Sequence, residues 1–94
     1  MFNKWIEIYS SIVDNPQNVE NLTCPNCKKK GTIDYYFIPY TPNNNLGSVY
    51  IWCAACKKGI YLDRVGIPVN AKKIVDESIN LNDVIPAFTK ITPD

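Results

Sequence analysis

Histidine is absent from this chain, and so is any long apolar run. Histidine is the usual general base and pH switch and a frequent metal ligand, so any such role falls to other residues. A membrane helix needs roughly 18 consecutive apolar residues, and a phosphate loop needs closely spaced glycines; the sequence has neither pattern. No serine stands beside an evident base. We therefore expect a protein that is not an enzyme, takes no small-molecule substrate and does not enter a membrane.

The length and composition indicate one small globular domain. The chain has 94 residues, of which 46% are hydrophobic and 20% are charged. A chain this short cannot divide its apolar residues between two independent cores. We therefore predict a single domain over residues 1–94, with a core small enough to benefit from a bound metal.

The four cysteines form two C-x-x-C pairs, Cys24 with Cys27 and Cys53 with Cys56. Thiolates are soft ligands that favour zinc, and a two-residue spacer lets a tight turn direct both sulfurs of a pair at one ion. Two such turns would complete a tetrahedron and leave no position for a catalytic water. The spacing therefore predicts one Zn²⁺ per chain in a structural, all-cysteine site.

Cysteines in a short chain are also typical of disulfide-linked secreted domains. Here Lys4 and Glu7 interrupt the apolar residues near the start, and no apolar run or small-residue cleavage site of a signal peptide follows. We therefore expect a cytoplasmic location, where the thiols stay reduced and free to bind metal.

An amphipathic helix is predicted over residues 2–14. Its apolar residues recur at helical spacing, with polar residues between them. They are Phe2, Trp5, Ile6, Tyr9, Ile12 and Val13. Asn15 and Pro16 end the pattern. Packing on the domain core is the simpler interpretation of this stripe, and docking on a partner is the alternative.

Residues 31–40 and 48–53 are rich in β-branched and aromatic side chains, and the turn-forming residues 41–47 separate them. This pattern predicts an antiparallel hairpin, followed by a short third strand over residues 60–62. Both faces of the hairpin are apolar, so each face must pack against another segment of the chain. The helix can pack on one face, and residues 66–94 can pack on the other.

The order of turn, hairpin, turn and strand over residues 22–65 resembles a four-cysteine zinc-ribbon module. Together with the helix predicted above, the resemblance implies an α+β fold: a small antiparallel zinc-ribbon β-hairpin sheet with an N-terminal amphipathic helix and a short C-terminal packing segment, residues 66–94. Ribbon turns often carry glycine directly after the second cysteine, and here Lys28 and Lys57 occupy those positions.

Small ribbons with added terminal elements resemble accessory proteins of bacteria, including immunity proteins that neutralise a toxin. The resemblance implies a non-enzymatic module with a protein partner. Tyr36, Tyr40, Tyr50 and Trp52 are the candidate partner surface, unless residues 66–94 bury that face.

The charge distribution and the cysteine pairs leave two other functions open. Residues 21–66 carry six Lys or Arg against two Asp or Glu, whereas the rest of the chain carries four against seven. The lysines beside the cysteines could neutralise a metal–thiolate centre or bind the phosphates of a nucleic acid. Two C-x-x-C turns also occur in iron sites of the rubredoxin type, and cysteine pairs can act as a redox dithiol. A rubredoxin-like or dithiol redox protein is therefore the second alternative.

Overall fold

The computed structural model describes residues 1–76 and 78–93; Glu77 and Asp94 of the predicted C-terminal segment lie outside the described residues. The first element is helix α1, Phe2–Asp14, which confirms the predicted helix. It buries Trp5, Ile8 and Ile12 on one face. The Asn15 N–H bonds to the Ser11 carbonyl at 3.0 Å, and Pro16 ends the helix because it cannot donate the next bond.

Four strands form one sheet in the order in which they follow along the chain. They are β1 (Ile33–Pro39), β2 (Leu46–Cys53), β3 (Lys58–Gly66) and β4 (Thr89–Lys90). The pairs β1–β2 and β2–β3 are antiparallel, but β4 runs parallel to β3.

The α+β class is therefore confirmed, whereas the prediction of a purely antiparallel hairpin sheet is wrong because the sheet is mixed. The chain leaves the end of β3, crosses one face of the sheet and returns beside the start of β3, so the last strand has the same direction as its neighbour. Strand β3 is also longer than the predicted residues 60–62.

A bulge interrupts the pairing of β2 with β3. Gly47 pairs with Val65 and Val49 pairs with Leu62, which leaves Asp63 and Arg64 opposite one residue of β2. Arg64 takes a positive φ of 56° there. An extra residue of this kind bends a strand and increases its twist.

The two faces of the sheet carry separate apolar clusters. On one face, Trp5 and Ile12 of α1 pack against buried residues of β1 and β2 such as Tyr35, Phe37 and Ile51. On the other face, Trp52, Ile74 and Ile85 form a smaller cluster, with Phe88 and helix α2 (Leu81–Val84) packed around it. Residues from both ends of the chain thus cover the sheet.

Backbone hydrogen bonds cover part of each edge of the three long strands. At the β1 edge, the Phe37 N–H bonds to the Lys72 carbonyl at 3.0 Å, and the Ile74 N–H bonds to the Phe37 carbonyl at 2.9 Å. At the β3 edge, Thr89 and Ile91 donate to the carbonyls of Lys57 and Gly59 at 2.8 and 2.7 Å. The backbone groups bonded in this way are unavailable for unwanted strand pairing. No helix within residues 1–76 and 78–93 has the length and apolar character that a membrane crossing requires.

Candidate metal centre

Two tight turns carry the cysteine pairs. The first turn lies just before β1, and the Lys28 N–H donates to the Cys24 carbonyl at 3.0 Å. The second turn joins β2 to β3, and the Lys57 N–H donates to the Cys53 carbonyl at 2.9 Å. Lys28 and Lys57 have φ values of 67° and 59°, the left-handed conformation that glycine adopts most easily. The lysines thus adopt the backbone conformation that glycine often supplies at this position of zinc-ribbon turns.

Backbone amides point at the first sulfur of each pair. The N–H groups of Asn26 and Cys27 donate to the Cys24 Sγ at 3.3 and 3.4 Å. The Cys56 N–H donates to the Cys53 Sγ at 3.4 Å. Hydrogen bonds to sulfur favour the thiolate, which is the form that binds a metal.

The four sulfurs converge. Each Sγ of Cys24, Cys27, Cys53 and Cys56 lies within 4.8 Å of the other three. The Sγ atoms of Cys24 and Cys56 are 3.7 Å apart, and those of Cys27 and Cys53 are 3.6 Å apart. These distances exceed a disulfide bond of about 2.05 Å. They fit the edge of a tetrahedron with metal–sulfur bonds of about 2.3 Å, which is about 3.8 Å.

The structure therefore brings together all four predicted ligands, and they could hold one metal ion. The donor set is four sulfurs with no oxygen or nitrogen, which suits a soft or borderline ion. Cys24 and Cys53 are fully buried, while Cys27 and Cys56 are partly exposed.

Two of the thiols have strongly shifted pKa values. Burial raises the pKa of Cys24 to about 12, although the amides of Cys27 and Asn26 oppose the shift. Burial also acts to raise the pKa of Cys53, but the Thr32 hydroxyl and the amides of Cys56 and Ala55 outweigh it and lower that pKa to about 6. These hydrogen bonds thus favour the thiolate form of Cys53.

Sequence reasoning missed two residues beside the sulfurs. The Thr32 Oγ1 lies 3.1 Å from the Cys53 Sγ, and the Asn26 side-chain amide lies 3.9 Å from the Cys56 Sγ. Asn26 belongs to the first turn, so its position inside the C-x-x-C pair was a usable signal. Thr32 and Cys53 are distant in sequence, and the pairing of Ile33 with Cys53 in the sheet brings them together.

Lysines surround the sulfur cluster. Lys28, Lys29, Lys30 and Lys57 are exposed. The ion pairs within the part of the chain that the structure describes are Lys4 with Glu7 and Lys72 with Asp34, so the lysines of the two turns take part in neither. The Lys28 Nζ instead donates to the Pro25 carbonyl at 2.9 Å. Four thiolates around a divalent cation would carry a net charge of −2, which these lysines would offset.

The four residues of the candidate partner surface have different environments. Trp52 is 2% exposed, because Phe88 stacks on it with ring centroids 6.1 Å apart, so Trp52 offers no contact surface. Tyr36 and Tyr50 are half-buried. Tyr40 is 49% exposed, and its hydroxyl donates to the Asp63 carboxylate. That hydrogen bond raises the pKa of Tyr40 and lowers the pKa of Asp63.

The sulfur cluster has no counterpart elsewhere in residues 1–76 and 78–93. The cluster is the single group of three or more Cys, Asp or Glu side chains that the described residues arrange to hold a metal. Comparisons with protein-family models, with curated proteins and with solved structures find no match to this chain.

Proposed function

We propose that this chain is a non-enzymatic zinc-binding protein of the zinc-ribbon type, in which a structural four-cysteine site supports a surface that binds another protein. The convergence of the four Sγ atoms within 4.8 Å carries this proposal. An all-thiolate tetrahedron is the usual environment of structural zinc, and four protein ligands leave no position for a reacting water.

The position of the site in the fold supports a structural role. Cys24 and Cys53 belong to the larger apolar cluster, together with Trp5 and Ile12. A metal held here would connect the turn before β1 to the turn between β2 and β3. Because the unfolded chain holds no such site, the binding free energy would add to the stability of the fold.

A bacterial accessory role in the cytoplasm, including toxin immunity, follows from the resemblance given above. The free cysteines fit a reducing compartment. Tyr36, Tyr50 and Phe88 are partly exposed on the face of the sheet that the C-terminal segment covers. They suit contact with a protein, since interfaces are enriched in tyrosine and phenylalanine.

The test of the metal is elemental analysis of the purified protein. We expect one zinc per chain, and we expect Cys56→Ser to lose most of it because one ligand is gone. Ala55→Ser is the matched control, since it places a hydroxyl in the same turn at an exposed residue that is not a ligand. Protein without metal would contradict the proposal, and red protein containing iron would support the rubredoxin-like alternative instead.

Nucleic-acid binding is the second candidate, and the exposed lysines of the two turns favour it. Its test is a salt titration of binding to random single- and double-stranded DNA and RNA. Phosphate contacts give a linear decrease of log affinity with log salt, with a slope set by the number of contacts. We expect no measurable binding at low salt, and a steep slope that Lys29→Ala reduces would favour the nucleic-acid function.

A further inference from the structure

We propose that a pocket between β2 and the C-terminal segment, together with Lys90 at its rim, binds an extended acidic segment of a partner protein through one apolar side chain and a neighbouring carboxylate. The proposal rests on the protein-binding function proposed above and names the surface and the chemistry of the partner.

The pocket lies beside the smaller apolar cluster. Its volume is about 300 Å³. Tyr50, Leu81, Ile85 and Phe88 supply apolar lining, and Asn82 and Lys90 supply polar groups. Tyr50 and Phe88 meet edge to face with centroids 6.4 Å apart, which fixes the orientation of both rings. The apolar part of a cavity of this size suits a single leucine-like or aromatic side chain, and its polar part suits a neighbouring polar group.

Lys90 places a positive charge at the rim of the pocket. Its ammonium lies 5.5 Å from the ring centroid of Tyr61 and 6.0 Å from that of Tyr50, within the range of cation–π attraction. Neither of the ion pairs of residues 1–76 and 78–93 includes Lys90. The rings therefore hold the ammonium beside the pocket, where an incoming carboxylate can reach it.

The backbone of β4 adds a third means of recognition. Thr89 and Ile91 donate their N–H groups to β3. Backbone groups alternate in direction along a strand, so the N–H and the carbonyl of Lys90 point away from β3, toward the outer edge of the sheet. An extended peptide can pair with such an edge while its side chain enters a neighbouring pocket.

The same surface is poorly suited to stacking nucleic-acid bases. Base stacking needs an open aromatic face. Phe88 lies on Trp52 with its ring nearly parallel, and the Lys90 ammonium lies over the ring of Tyr61. The aromatic faces are thus used within the protein, which favours a peptide with an apolar and an acidic side chain.

The test is an NMR titration of the zinc-loaded full chain with defined probes. The first probe is a short blocked peptide with a central leucine flanked by glutamates. A second peptide replaces the glutamates with lysines, a third replaces the leucine with alanine, and oligothymidine is the nucleic-acid probe. We expect saturable shifts of the Lys90 amide and of the Tyr50 ring with the first peptide alone.

Lys90→Glu should weaken binding of the glutamate peptide by about tenfold, because an attraction becomes a repulsion. Lys73→Glu is the matched control, because it makes the same charge change at an exposed lysine on the opposite edge of the sheet, and it should leave the affinity unchanged. Equal effects of the two variants, equal binding of the lysine peptide, or the absence of saturable shifts up to millimolar peptide would overturn the proposal. Shifts at this surface with oligothymidine alone would overturn it in favour of nucleic acid.

The zinc content and the spectral dispersion of each variant keep this test separate from that of the metal site. A folded, zinc-loaded chain that fails to bind the glutamate peptide contradicts the pocket proposal and agrees with the proposed metal site. A chain that binds the peptide at Lys90 but contains no zinc supports the pocket and contradicts the metal site.

Discussion

Two lysines hold the backbone conformation that the cysteine turns need. Lys28 and Lys57 directly follow the second cysteine of their pairs, and both have positive φ values. A side chain in this conformation costs about 1 kcal/mol because its Cβ crowds the following carbonyl. The chain accepts this cost at two sites beside the sulfurs, where the positive charge of lysine offsets the charge of thiolates.

Lys57→Gly should raise the free energy of unfolding by about 0.5 kcal/mol, because relief of the left-handed strain exceeds the greater backbone entropy of glycine. Urea unfolding of the zinc-loaded protein measures the change. Lys58→Gly is the control: it removes the same charge at the next residue, which lies in β3, and it should lower stability by about 0.5–1 kcal/mol. A decrease in stability of the Lys57→Gly variant would contradict the relief of left-handed strain at this turn.

At the scale of elements, close backbone approach explains the glycine at the start of β3. A Cβ on Gly59 would lie 2.0 Å from the Ile51 carbonyl oxygen and 2.7 Å from the Trp52 Cα. Both contacts are to backbone, so neither can be relieved by rotation of a side chain. Gly59 also accepts the Ile91 N–H through its carbonyl, which ties β3 to the strand at the edge.

Gly59→Ala should therefore lower the free energy of unfolding by about 3 kcal/mol, because strands β2 and β3 must move apart to admit the methyl group. Thermal and urea unfolding report the loss. Gly66→Ala is the matched control at the other end of β3, where a Cβ would meet nothing within 4 Å. That variant should stay within about 0.5 kcal/mol of the parent protein. A small effect of Gly59→Ala would contradict the close approach of the Gly59 and Ile51 backbones.

At the scale of the whole molecule, one sheet separates two apolar clusters, and the sulfur cluster lies at the end of the sheet. Strand β2 contributes Ile51 to the cluster under α1 and Trp52 to the cluster under the C-terminal segment. Cys53 is the last residue of the same strand and begins the cysteine turn between β2 and β3. Loss of order at the turn should therefore reach both faces of the sheet.

We expect a strong chelator to unfold the protein or to lower its melting temperature by more than about 10 °C, because the bound metal stabilises only the folded chain. Far-UV circular dichroism follows the sheet, and fluorescence of Trp5 and Trp52 reports the two faces. Chelator already saturated with zinc is the control and should have no effect. A melting curve that the free chelator leaves unchanged would contradict a structural metal site.

Local patterns were sufficient for much of the fold. The 3.6-residue period of apolar side chains predicted α1 over residues 2–14, and the structure has Phe2–Asp14. β-branched and aromatic residues predicted β1 and β2 as an antiparallel pair, which is what the structure contains. Strand β4 was missed because two residues carry no detectable periodicity, and its parallel direction depends on the path of the preceding segment.

The sequence by itself determined the four cysteines that converge and the two turns that carry them, because a two-residue spacer within one turn is a local constraint. Only the tertiary structure decided that Phe88 covers Trp52, that Thr32 reaches the Cys53 sulfur and that Lys90 lies over the rings of Tyr50 and Tyr61. Each of those contacts joins residues far apart in the chain. Such contacts follow from the packing of whole elements, which no short stretch of sequence specifies.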